Sequence, residues 1–200
     1  MNRPKLLTSC YISAATLFVL AACGSEPPSA SEGPQAGGDS NLPHSGAPAV
    51  ASPLELGKFE SSPCEILGPR QLASIDLKNT QSTEDKQPPG PTCSYSRSDA
   101  PASAIAVSFL TSDTQGLSRL YQNETVDSSA YFEEVRSVSG HPGVLTGLTD
   151  NRDQGDCSLV VGVRDDLVMQ IVVTGHAGGD PCELATAVGR LAVDRLKAAN

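Results

Sequence analysis

The chain has 200 residues, enough for one domain with extensions, and a formal net charge of −9, from Lys+Arg 14 against Asp+Glu 23. That balance argues against nucleic acid as a partner and against electrostatic docking on anionic headgroups. Aromatic residues are 4% and Trp is absent, so a core has to be built from Leu, Val, Ile and Ala, with few rings for sugars or bases to stack on.

The first segment reads as an export signal. MNRPK supplies a positive start, LLTSCYISAATLFVLAA an apolar run too short for a stop-transfer helix, and the run closes on LAAC at 20–23. Leu20, the small pair Ala21-Ala22 and then Cys23 resemble the bacterial lipobox. The resemblance implies a lipoprotein signal peptide over 1–22, removed before Cys23. The Cys23 thiol would carry a thioether-linked diacylglycerol and the new amino group an acyl chain such as palmitate. Two or three chains, at about 0.8 kcal/mol per buried CH₂, hold a protein to a membrane where one does not. Cys10 lies inside the apolar run and needs no role.

Residues 23–60 are rich in Gly, Pro, Ser and Ala and show no apolar periodicity before Leu54. Such a stretch buries too little surface to offset its ordering entropy, so a disordered tether is expected, with His44 a bystander. As a coil of this length it spans roughly 35 Å. The globular domain is expected over 61–200.

Within that domain, SPCEIL at 62–67 opens a helical turn, Gly68-Pro69 punctuates it, and RQLASIDL continues with Leu72 and Ile75 on one face. KNTQSTEDKQPPGPT reads as a polar loop. CSYSRS at 93–98 and AIAVSFL at 104–110 alternate as a hairpin, with Ile105, Val107 and Phe109 on one side. GLSRLYQNE places Leu117, Leu120 and Tyr121 at helical spacing. YFEEVRSVS at 131–139 and GVLTGLT at 143–149 read as two strands around a Gly140-His141-Pro142 turn. CSLVVGV and LVMQIVV form the clearest hairpin. A three-residue turn at Arg164-Asp165-Asp166 puts Leu159, Val161 and Val163 on one face with Leu167, Met169, Ile171 and Val173. Val160, Val168 and Val172 make the other face apolar too, which suggests a central position. A final helix from DPCELA should turn Leu184, Val188, Leu191 and Ala192 inward. The order predicts an α+β fold: an antiparallel sheet of five to six strands packed against helices.

SPCEIL and DPCELA share one grammar. Ser62 and Asp180 suit the helix cap, Pro63 and Pro181 the first helical position, and Glu65 and Glu183 the position that reaches back to the cap. Each cysteine then falls at a helix start, where a thiol can be made reactive. Against that stands the count: after Cys23 the chain has Cys64, Cys93, Cys157 and Cys182, an even number on an exported chain. There is no C-x-x-C pair for redox exchange, and no Cys/His spacing for zinc. Two structural disulfides are expected. Four cysteines allow three pairings, and the local ones, Cys64 with Cys93 and Cys157 with Cys182, are favoured.

The lipobox, the tether, PCEIL, CSY, SGHP, a cysteine opening a valine-rich strand and PCELA before the last helix together resemble a family of actinobacterial lipoproteins carrying a domain of unknown function. Tyr95 stands where that family often has Trp. The resemblance implies a cell-envelope address and an α+β fold, and brings no catalytic residue.

No catalytic constellation is legible. There is no G-x-S-x-G elbow, and His141 and His176 sit in turn-like sequence without a nucleophile nearby. DNRDQGD at 150–156 fails the calcium-loop register because Arg152 and Gln154 fall at ligand positions, so it reads as a solvated acidic turn. TGHAGGDP could cradle an anion at the last helix, but Asp180 would repel it. Neither cofactor nor metal is expected. The predicted function is a non-enzymatic binding or accessory module, lipid-anchored on the extracytoplasmic face and serving an envelope protein. The alternative is a carrier enclosing a lipid or small hydrophobe. A thiol oxidoreductase would require a free cysteine in the oxidised domain.

Overall fold

A computed structural model describes residues 41–78, 80–97, 100–126 and 129–200. The expected signal peptide, Cys23 and the tether as far as residue 40 lie outside the described residues.

Seven strands form one antiparallel sheet: β1 (Thr80–Asp85), β2 (Thr92–Arg97), β3 (Ala100–Phe109), β4 (Tyr131–Val138), β5 (His141–Gly147), β6 (Cys157–Arg164) and β7 (Leu167–Thr174), ordered β1-β2-β3-β7-β6-β5-β4. The helices are α1 (Pro69–Ser74), α2 (Leu117–Val126) and α3 (Pro181–Lys197). The α+β class holds, with seven strands rather than five to six. The extra strand is β1, inside the stretch read as a polar loop. Among the described residues it pairs only with β2, at the sheet edge, and five of its six residues are exposed. Without a covered face it has no reason to alternate, and Glu84 and Asp85 keep the edge from recruiting another chain.

The central strands are covered on both sides. On one face Ile105, Val107, Phe109, Leu159, Val161, Met169 and Ile171 pack with α3 and the N-terminal turns. On the other, Val144, Val160 and Val168 pack with Leu117 of α2 and with Ala47. The β6–β7 hairpin keeps the facing that the apolar pattern predicts, with Leu159 opposite Ile171 and Val161 opposite Met169. A register shift between Gly162 and Arg164 absorbs the odd residue, so Arg164 already pairs with Leu167.

The buried stripe of α3 is rotated from the expected one. Ala185, Val188, Gly189, Ala192, Val193 and Leu196 are buried, while Leu184 and Leu191 are only partly covered. Small residues let the helix approach the sheet: a methyl on Gly189 would stand 2.8 Å from Leu159 Cδ2. Size was a poor guide here, because close helix–sheet contact selects small side chains over large ones.

The expected disordered tether does not extend to residue 60. Ala47, Val50, Leu54, Leu56 and Phe59 are buried, the last at 1% exposure in a 3₁₀ turn over Gly57–Glu60. The segment starts on the α2 side, where the backbone N–H of His44 donates to Ser118 Oγ at 2.9 Å. It rounds the β6–β7 turn, with Val50 N–H donating to Asp165 Oδ1 and Leu54 N–H to the Val163 carbonyl. It ends in the α3-side core. Residues 44–60 therefore pack with the sheet, and His44 is hydrogen-bonded to α2.

Candidate functional site

The two copies of the doubled motif differ in structure. In DPCELA, Asp180 caps α3, its Oδ1 accepting from the N–H groups of Cys182 at 2.8 Å and Glu183 at 3.4 Å. The Glu183 carboxylate makes no return hydrogen bond among the described residues. In SPCEIL the Pro63–Ile66 segment is a single 3₁₀ turn, and Ser62 makes no side-chain cap. Glu65 reaches Lys58 Nζ instead of the turn's own start. That ion pair holds the Glu65 carboxyl below its ordinary value. The turn ends at Leu67, which is extended at φ −123 and ψ 105, and Gly68, preceding Pro69, is extended too at φ −81 and ψ 174. Ser62 and Glu65 are thus not capping residues.

Both cysteines of the motif are bonded: Cys64 to Cys93 with Cα atoms 4.9 Å apart, and Cys157 to Cys182 at 5.2 Å. One bond ties the Pro63–Ile66 turn to β2, the other ties the start of α3 to β6. All four thiols of the domain are consumed, which leaves no nucleophilic sulfur among the described residues.

The other polar candidates are tied into the fold. His141 is not in a turn but opens β5, at 1% exposure. Ser139 and Gly140 make the turn alone, both at positive φ as a two-residue hairpin turn requires. Imidazole Nδ1 lies 2.9 Å from the Gly162 carbonyl, to which it can only donate, and Nε2 is buried without a hydrogen-bond partner among the described residues. In the acidic turn, Asp150 chelates Arg152 at 2.8 and 2.6 Å, and Arg152 also pairs with Glu133 at 2.7 Å over the face of Tyr131. The guanidinium beside Asp150 holds its carboxyl below the usual carboxylate range. Asp156 accepts the Gly175 N–H at 2.9 Å. Among the described residues no three His, Cys, Asp or Glu side chains gather as metal ligands. His176 lines an open groove with Asp180 and Glu183.

What the fold builds instead is a cleft of about 520 Å³ between α2, the end of β5 and the outer face of β6 and β7. Its floor is Val160, Val168 and Val172, interrupted by Gln170, whose Nε2 donates to Ser158 Oγ at 3.1 Å. Leu120 of α2 forms the roof, and at the mouth Arg119 pairs with Asp113 at 3.1 Å. Leu148 projects at the rim with 90% of its surface exposed. α2 is seated by Gly116, at φ +56, where a Cβ would meet the Asp165 carbonyl oxygen at 2.1 Å. An apolar floor, a few convergent polar groups and a charged mouth are the ordinary make-up of a small-molecule pocket. Sequence reasoning did not locate this cleft. Its signal was the second apolar face of β6 and β7 together with an amphipathic α2 that needed a surface of its own.

A family model described as a protein of unknown function, DUF3558, matches residues 18–195. The chain belongs to the DUF3558 family. No curated protein and no solved structure matches it. The DUF3558 match spans both disulfides, α2 and the cleft, and its description assigns no chemistry to any of them.

Proposed function

We propose that this DUF3558 protein is a lipoprotein of the actinobacterial type, anchored through Cys23 on the extracytoplasmic face, whose domain binds an envelope partner or ligand without transforming it. Support for the address comes from the LAAC motif and from two disulfides, which suit an oxidising compartment. The observation that carries the binding reading is the cleft under α2, which has walls suited to holding a molecule and, among the described residues, no hydrogen-bonded nucleophile–base pair. The anchor is tested by Cys23→Ala: the variant is expected to leave the membrane fraction, and its retention there defeats the lipoprotein reading.

The cleft's size and valine floor favour a second, narrower reading, a carrier of a lipid or small hydrophobe. Native mass spectrometry of the full chain purified from its own host separates the two. The carrier predicts a bound small molecule whose occupancy falls about tenfold in Val172→Gln, a difference of roughly 1.4 kcal/mol. A cleft that is empty in both proteins, with a partner protein retained, defeats the carrier and leaves the accessory module.

A further inference from the structure

On the opposite face of the sheet lies a second concavity, of about 590 Å³, bounded by α1, the Pro63–Ile66 turn, β2 and the last turn of α3. Two basic side chains, Arg195 and Lys78, line it in a chain of net charge −9. Lys58, Lys86, Arg119, Arg152 and Arg164 each lie within 4.0 Å of a carboxylate, whereas Arg70, Arg136, Arg190 and Lys197 do not among the described residues. Arg195 and Lys78, which both line this concavity, have no carboxylate at that distance among the described residues. Arg195 donates only to the Glu65 carbonyl, at 3.4 Å, and its Nε is out of solvent with no hydrogen-bond partner among the described residues. The acid lining the same concavity is Glu65, whose carboxylate is ion-paired with Lys58 and also feels the Arg195 charge. Two positive charges therefore share one hollow with a single lining acid that Lys58 already pairs, and Arg195 is part-desolvated and so strengthened toward any anion that enters.

The remaining wall is apolar. Leu67, Leu72 and Leu77 line it beside Tyr95, whose hydroxyl donates to the Cys64 carbonyl at 3.3 Å. Burial pushes that phenol up to about 12, so Tyr95 adds no negative charge at neutral pH. We propose that this hollow binds a small anionic amphiphile, its compact anion held between Arg195 and Lys78 and its apolar body against the leucines and Tyr95. A carboxylate and a phosphate monoester share that chemistry. The site is separate from the cleft under α2 and does not depend on what fills it.

The test uses the full chain in phosphatidylcholine nanodiscs, with empty nanodiscs subtracted, titrated by calorimetry with hexanoate, hexyl phosphate, neutral hexanamide and inorganic phosphate. Hexanoate or hexyl phosphate is expected to saturate, with hexanamide weaker by at least about tenfold, and the tighter of the two anions identifies the head. Arg195→Gln, checked by its melting curve, is expected to lose about tenfold in affinity. Lys78→Gln, at an exposed side chain that the core does not use, is expected to weaken binding about threefold, and Val172→Gln in the other cleft to leave it unchanged. Saturation by neither anion up to about 10 mM overturns the proposal. So does hexanamide binding as well as hexanoate, or equal affinity in wild type and Arg195→Gln. Inorganic phosphate binding as tightly as hexyl phosphate overturns the apolar half of the site.

Discussion

Replacing Phe59 by alanine is expected to lower the unfolding free energy of the full chain by about 3–5 kcal/mol, the range for a phenyl ring removed from a packed core. The ring is 1% exposed and shares one cluster with Leu54, Leu56, Ile66 and Leu67, so neighbours anchored to the sheet cannot collapse fully into the space it leaves. Lys58→Ala is the control. That side chain is half exposed, and its ion pair with Glu65 and its contact over the Phe59 ring at 5.5 Å together contribute no more than about 1 kcal/mol. Urea unfolding of the three proteins should show a lower midpoint for Phe59→Ala with an unchanged slope. A loss below about 1 kcal/mol would mean that residues 44–60 detach freely, which would return the domain boundary to residue 61.

That boundary was not legible in the sequence for a physical reason. Residues 44–60 form neither strand nor long helix, so their apolar side chains follow no period. Ala47, Val50, Leu54, Leu56 and Phe59 are spaced among Gly, Pro and Ser, as they would be in a tether. The hydrogen bonds that fix the segment run to distant acceptors. Val50 N–H reaches Asp165, and Glu55 N–H reaches the Asn200 side chain. Arg164, at the β6–β7 turn, closes on Glu55 at 2.7 Å. A local reading has no access to partners more than a hundred residues away.

Elsewhere the legible elements were those whose burial is one-sided or complete. β3, β6 and β7 declare themselves because both their faces are covered or cleanly divided, and α2 because Leu117, Leu120 and Tyr121 share one side. β1 was missed because nothing covers it. His141 was misplaced because Gly and Pro flank it, although Ser139 and Gly140 suffice for the turn. The repeated PCE word suggested one device used twice. It is a capped helix in one place and a bare 3₁₀ turn in the other, where the chain turns extended at Leu67 and Gly68 before Pro69 opens α1. The cleft needed the tertiary fold, because its floor and its roof come from elements that no sequence pattern links.

Removing the Cys157–Cys182 bond by the double substitution to alanine is expected to cost about 3–4 kcal/mol, from the loop entropy returned to the unfolded chain. The separation is 25 residues, against 29 for Cys64–Cys93, so the two bonds should cost nearly the same globally. Their local consequences should differ. With Cys157–Cys182 gone, α3 keeps the Asp180 cap and a buried stripe from Ala185 to Leu196, so its amide protection should fall only as far as the global stability falls. With Cys64–Cys93 gone, the Pro63–Ile66 turn has no side-chain cap, and α1, six residues long, has no strand pairing to hold it. Hydrogen exchange over residues 59–77 should then quicken beyond the global change, opening the wall that carries Leu67 and Leu72. Because the bonds lie in separate parts of the sheet, their costs should add to about 7 kcal/mol, comparable to the whole stability of an ordinary domain. Full reduction of the wild-type protein is therefore expected to melt it near 37 °C. A reduced protein that keeps its melting temperature within about 3 °C would show that the apolar core alone holds the sheet.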